Sequence, residues 1–222
     1  MTGVLVIAPH MDDEVLGTGG TIARHVARGD EVNVCIVAYR AYGHRFDEAK
    51  NRFEMACARD AREILGYGET VFLGLPDERL DVSLQEIVIP LEEQLGRFDP
   101  GIVYIPHRGD LNQDHRAVFQ AAVIALRPHA NPKIRRVLAY EVPSSTDQAP
   151  PFPEYAFLPN CYVNIGEFLE KKLQALRCYR TERRPFPHPR SDEGLTTVAR
   201  KRGMESGLPA AEAFMVVRET RD

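Results

Sequence analysis

Val4-Leu5-Val6-Ile7-Ala8-Pro9-His10-Met11-Asp12-Asp13-Glu14 decides how this chain is read, because an apolar run ends there in a burst of ligand chemistry. Residues 4–8 are uniformly apolar and too few to span a membrane, which predicts a central strand of a sheet covered on both faces. Pro9 has no N–H to give and ends the ladder. One imidazole and three carboxylates follow directly, a grouping that costs free energy beside a core unless a cation neutralises it. A divalent metal supplies such a cation. Asp12, Asp13 and Glu14 can also sit at the start of the next helix, whose dipole favours negative charge. That reading accounts for Glu14 and leaves His10 unexplained.

Outward from this stretch, short apolar runs alternate with longer amphipathic ones. Gly17-Thr18-Gly19-Gly20 leads into a helix over 21–29, its glycines allowing close packing on the metal loop and a neighbouring strand, and His25 is expected on that helix's surface. Strands are predicted over 31–38, 70–73, 101–105 and 136–142, and helices over 48–65, 82–98 and 117–126. Phe53, Ala56, Cys57, Ala61, Ile64 and Leu65 form the expected inner stripe of the 48–65 helix. A proline-rich excursion over 143–159, an extended segment over 156–165, a helix over 166–182 and a last strand at 211–214 complete the chain. The alternation implies an α/β fold: a Rossmann-like open, mostly parallel sheet with helices on both faces and right-handed crossovers. The expected strand order is 3-2-1-4-5 plus C-terminal additions, in a single domain over 1–222. Gly17-Thr18-Gly19-Gly20 followed by Thr21 and Ile22 does not make the G-x-G-x-x-G fingerprint of dinucleotide binding.

At 222 residues the chain can bury roughly 70–75% of the surface its unfolded form exposes, so it needs no staples. Net charge is −4, and the basic residues are dispersed apart from the short Arg183-Arg184 and Arg200-Lys201-Arg202 runs, which read as solvated helix faces or ends. No nucleic-acid footprint is present. The four cysteines lack a C-x-x-C pair and read as reduced, semi-buried small side chains. No basic leader and no apolar run of membrane-spanning length appear, so a cytoplasmic protein is expected. Whether it forms a homo-oligomer is left open.

The second chemical stretch follows the fourth strand: Pro106-His107-Arg108-Gly109-Asp110-Leu111-Asn112-Gln113-Asp114-His115-Arg116. In a 3-2-1-4-5 sheet, strands one and four are neighbours at the topological switch point, so both loops open into one crevice. Residues 9–14 and 112–115 resemble the two motifs, Pro-His-x-Asp-Asp-Glu and His-x-Asp-His, of the PIG-L/LmbE-like family of zinc-dependent N-deacetylases. The resemblance implies that His10, Asp13 and His115 bind Zn2+, that Asp12 is the general base, and that Asp114 is the carboxylate behind His115. Asn112 departs from the family pattern, where a histidine is common. An asparagine can offer an amide hydrogen bond to an oxyanion and cannot give up a proton. Asp77 resembles a family aspartate that contacts substrate hydroxyls, a turn aspartate after Pro76 being the plain alternative. His107 and Asp110 read as loop structure.

Tyr39-Arg40-Ala41-Tyr42-Gly43-His44-Arg45-Phe46-Asp47 is dense in aromatic and basic groups; above a sheet such a loop can hold a sugar, or it is ordinary surface. His188-Pro189-Arg190-Ser191, Arg202-Gly203 and Ala211-Glu212-Ala213-Phe214 resemble a subset of the same family, which extends the resemblance along essentially the whole chain. Arg190 is expected at the substrate. His188, between two prolines that stiffen its backbone, is expected as the catalytic acid that Asn112 cannot be, with a surface histidine as the alternative. The function implied is hydrolytic removal of an N-acetyl group from an amino sugar or sugar conjugate, a small N-acetylated molecule being the partner. A carbohydrate-binding or regulatory protein on the same zinc scaffold is the alternative, and a nucleotide-binding protein is a third and weaker one.

Overall fold

β1 (Gly3–Ala8) runs through the middle of the sheet, and its side chains alternate between two cores. Val4, Val6 and Ala8 point into one cluster, while Leu5 and Ile7 point into the other, the period-2 consequence of a strand covered on both faces. The computed structural model describes residues 1–221. β2 (Glu31–Tyr39), β3 (Thr70–Pro76), β4 (Ile102–Pro106), β5 (Arg136–Tyr140), β6 (Cys161–Asn164) and β7 (Ala211–Glu219) complete a seven-stranded sheet in the order β3-β2-β1-β4-β5-β7-β6. The first five strands are parallel, in the expected 3-2-1-4-5 order, and β7 adds antiparallel to both β5 and β6. Among the described residues no helix is long and apolar enough to cross a membrane.

α1 (Asp13–Ala27), α2 (Glu48–Leu65) and α5 (Leu169–Cys178) cover the Val4 face, through residues such as Leu16, Ala61 and Leu176. α3 (Leu84–Phe98) and α4 (Gln113–Ala125) cover the other, through Leu91 and Val118 among others. α6 (Asp192–Ser206) leads into β7. These spans shift several sequence-based boundaries, and each shift has a local cause.

α1 starts at Asp13, well before the expected start at Thr21, so the glycine-rich run lies inside the helix. Gly17 is there because a Cβ would come within 2.2 Å of the Tyr140 ring, and Gly20 because a Cβ would come within 2.7 Å of Ile165. A buried ion pair reaches into the same turn. Lys172 Nζ donates to Leu16 O (2.8 Å) and to Glu212 Oε1 (2.6 Å), while Glu212 accepts from Gly20 N and Thr21 N at 2.9 and 2.7 Å. His25 is half-buried rather than a free surface residue, bonded to Asp30 and Tyr104.

The inner face of α2 is rotated from the expected stripe: Phe53 and Ala56 are exposed, while Asn51, Glu54 and Ala58 are buried. Asn51 clamps the backbone of Arg40, accepting from its N–H at 2.8 Å and donating to its C=O at 2.9 Å. α4 starts at Gln113 rather than Ala117 because the Asn112 side chain caps it, accepting from Asp114 N at 2.8 Å. The expected 166–182 helix is regular only over Leu169–Cys178, and the last strand extends to Glu219.

Candidate active site

His10 and Asp13 enter from the carboxyl end of β1, and His115 from the first turn of α4 after β4, the strand beside β1. His10 Nδ1, His115 Nε2 and Asp13 Oδ2 form a triangle whose edges are 3.3, 3.2 and 3.3 Å. Each of the three residues is at most 5% exposed. A tetrahedral ion bound at about 2.0–2.1 Å sets its donor atoms about 3.3–3.4 Å apart, so this triangle fits one small divalent cation with a position left for water or substrate. Burial alone would pull both imidazoles below their ordinary pKa. Hydrogen bonds to Asp114, Asp13 and Asp77 instead hold His10 well above it, and the charge of Asp13 with Asp110 holds His115 at about 9. The pocket demands positive charge, and a bound metal meets that demand.

A second group, His10 with Asp77 and Asp114, also brings three donor atoms together. It is the poorer zinc site, because it offers one imidazole and two carboxylates where the first offers two imidazoles and one carboxylate, and Glu78 N–H donates to both of its carboxylates, Asp77 Oδ1 at 2.9 Å and Asp114 Oδ2 at 2.7 Å. These carboxylates instead stand behind His10: its Nε2 lies 2.9 Å from Asp77 and 3.4 Å from Asp114. The structure thus differs from the expected pairing of Asp114 with His115. Asp110, read from sequence as loop structure, is the group facing His115 Nδ1, at 3.3 Å and off the line of a good hydrogen bond. Ser145 and Thr146 hydroxyls donate to Asp110 and fix its orientation. A carboxylate behind each imidazole is how metal-binding histidines are held.

Asp12, the expected base, is fully buried and sits at a φ of 109°, in the left-handed region. A non-glycine residue there carries backbone strain of about 1–3 kcal/mol, a feature of sites that hold a side chain in one place. Its Oδ2 accepts from Arg190 Nη1 at 2.7 Å and its Oδ1 from Arg40 Nη2 at 3.3 Å. Burial pushes the Asp12 carboxyl up to about 6, the two guanidiniums limiting the rise. Glu182 ties the arginines together, pairing with Arg190 at 2.8 Å and with Arg40. Glu14 lies in the first turn of α1, as the helix-start reading expects, and does more than sit at the dipole. It is fully buried, accepts from the Tyr179 hydroxyl at 2.5 Å and from Asp12 N at 3.1 Å, and burial pushes its pKa to about 8.

A cleft of about 640 Å³ is lined by His10, His115, Asn112, Arg40, Glu182 and Arg190 among others, and the fully buried Asp12 lies behind Arg40 and Arg190 rather than in its lining. Asn112 Oδ1 is occupied in capping α4, so what it offers the cleft is its amide NH2. Asp77 lines the cleft too, but its oxygens are engaged by His10, Glu78 N and Ala41 N. His188 does not line the cleft. The 185–191 segment is a turn rather than an extended arm, and the His188 ring serves that turn, Nδ1 accepting from Arg190 N at 3.1 Å. The group this segment delivers to the site is Arg190. Sequence reasoning missed Arg40 and Glu182 as site residues; the aromatic and basic loop after β2 was the one available signal for the first, and nothing marked the second.

The chain matches the PIG-L family model, GlcNAc-PI de-N-acetylase, over residues 5–126. It is 30% identical to the uncharacterized deacetylase YaiS of Escherichia coli K12 over 81% of this chain and 91% of that protein. It is 29% identical to the diacetylchitobiose deacetylase of Thermococcus kodakarensis over 96% of this chain and 82% of the relative. The crystal structure of the conserved protein TT1542 from Thermus thermophilus superposes with a TM-score of 0.79 at 27% identity, covering 100% of this chain and 97% of that one. The family match contains both loops that build the His10, Asp13 and His115 triangle, and on these grounds the chain belongs to the PIG-L family.

Proposed function

We propose that this protein is a zinc-dependent hydrolase that removes the N-acetyl group from an amino sugar or an amino-sugar conjugate. The observation that carries the reading is the buried triangle of His10, Asp13 and His115 with the Asp12 carboxylate on the same loop. The activity named for the Thermococcus relative supports an N-acetylated sugar as the substrate class. Two imidazoles and one carboxylate are the donor set of an open catalytic zinc site, and zinc bound there supplies Lewis acidity for the acyl carbonyl and for a water molecule.

The protein's own groups do the rest. Asp12 accepts the proton of the attacking water. Each of its oxygens receives one guanidinium N–H and keeps a second acceptor site for that water. Arg190 and Arg40 hold the carboxylate ionised and in place. The Asn112 amide donates to the oxyanion that forms at the acyl carbon, and protonation of the departing amine falls to Asp12 in its newly protonated form. His188 is given no part in this step, because the turn that seats its ring also seats Arg190 on Asp12. Acetate release from N-acetylglucosamine and its glycosides, with and without chelator, tests the reading. Release that disappears on chelation and returns with zinc is expected; a zinc-loaded protein that releases acetate from none of them contradicts it and favours binding without turnover.

A further inference from the structure

We propose that the cleft takes an amino sugar already joined to a flat apolar aglycone, and that this aglycone lies against Tyr39 and Phe46. The inference rests on the deacetylase reading for the sugar end of the ligand. A second cavity of about 560 Å³ adjoins the metal-side cleft, and Arg40, Ala41, His44, Asp77 and Glu78 line both. The two cavities therefore share a rim, and a ligand that extends out of the first along these residues meets the second.

The wall of this second cavity is built, not incidental. Gly74, at a φ of 74°, puts bare backbone against the Tyr39 ring, where a Cβ would come within 3.0 Å. Phe46 stands 6.0 Å from Tyr39, centroid to centroid, at an interplanar angle of 34°. The Ala41–Phe46 bridge and the Tyr42 N–H to Arg45 O bond of 2.8 Å hold Phe46 on a tight loop. Phe46 is nonetheless 62% exposed, so no core explains its place. Leu75 and Pro76 continue the apolar surface.

Of the polar groups between the two cavities, Asp77 is fully engaged, and His44 and Glu78 are engaged with each other through one atom each. His44 Nδ1 lies 2.7 Å from Glu78 Oε2, Asp77 Oδ1 is taken by His10 and Glu78 N, and Asp77 Oδ2 by Ala41 N. Tyr39, Phe46, Leu75 and Pro76 give this cavity a larger apolar surface than the metal-side cleft has, which favours a ring over a second sugar and leaves chitobiose as the comparison that decides. An aromatic ring needs no hydrogen-bond partner there, and stacks on Tyr39 and Phe46.

The test separates this subsite from the chemistry by using ligands with no acetyl group. Phenyl glucosaminide, methyl glucosaminide and chitobiose are titrated calorimetrically into the zinc-loaded protein and into its Phe46→Ala and Tyr39→Leu/Phe46→Ala forms, while acetate release is measured separately on the N-acetylated glycosides. The phenyl compound should bind about 3- to 10-fold more tightly than the methyl one, the range of an aromatic pair. That ratio should fall towards one when both rings are gone, and chitobiose should bind like the methyl compound. Equal binding of phenyl and methyl glycosides, a preference that survives the double substitution, or a gain for chitobiose matching that for phenyl overturns the proposal. A phenyl preference without acetate release leaves the subsite standing and sinks the deacetylase reading; acetate release without a phenyl preference does the reverse.

Discussion

Arg190 Nη1 lies 2.7 Å from Asp12 Oδ2 across 178 residues of chain. A residue near the C-terminus thus sets the charge state of the motif that opens the protein. Burial raises the Asp12 pKa, and Arg190 is the first of the two charges that oppose the rise. Arg190→Ala should therefore raise it further. Asp12 works as a base only when ionised, so the acid limb of the pH–rate profile for kcat/KM should move to higher pH, by about 1–3 units for loss of an adjacent opposite charge. Metal content should be unchanged, and Arg190→Lys should recover part of the shift. An acid limb that stays in place removes Arg190 from this role.

The Lys172–Glu212 pair gives a stability prediction that does not involve the cleft. Both side chains are at most 6% exposed, and both bond to the α1 backbone as well as to each other. Lys172→Met leaves a buried carboxylate without its cation and should cost about 3–5 kcal/mol in urea unfolding. Replacing both, as Lys172→Met with Glu212→Leu, should cost clearly less, because the uncompensated charge disappears. A single substitution within about 1 kcal/mol of wild type would show that water reaches the pair.

How far the sequence carried can be seen residue by residue. The β1 strand and the convergence of the two loops follow from local patterns and general rules of parallel sheets, while the choice of His10, Asp13 and His115 within those loops rested on their resemblance to the PIG-L/LmbE-like motifs. The partners of the histidines followed from neither. Asp114 and His115 are consecutive on α4 and point about 100° apart around it, so Asp114 faces His10 and leaves His115 to Asp110. Arg40 and Arg190 reach Asp12 from loops far apart in sequence, and no spacing rule links them. The glycine run 17–20 looked like a loop because its helix packs too closely on Tyr140 and Ile165 to carry side chains.

His25 makes stability depend on pH in a known direction. Its Nδ1 lies 2.8 Å from Asp30 and its Nε2 3.0 Å from the Tyr104 hydroxyl, yet burial outweighs Asp30 and lowers its pKa below 6.5. The unfolded chain then takes up this proton more readily than the folded one, so stability falls as pH drops through about 6.5 and levels off below the folded pKa. His25→Gln should lose less stability than wild type between about pH 7.5 and 5.5, read from urea midpoints. Because His10 and His115 are common to both proteins, the difference reports His25; equal slopes contradict the assignment.

The central claim is that metal binding and proton transfer reside on neighbouring residues of one loop and separate by substitution. The most direct measurement is the zinc-to-protein ratio after dialysis, taken with acetate release on the same preparations of wild type, Asp12→Asn and His115→Ala. About one zinc per chain is expected in wild type and in Asp12→Asn, with turnover in Asp12→Asn reduced about 10²–10⁴-fold, and loss of both zinc and turnover in His115→Ala. Full zinc occupancy in His115→Ala, or near wild-type acetate release by Asp12→Asn, would contradict that claim.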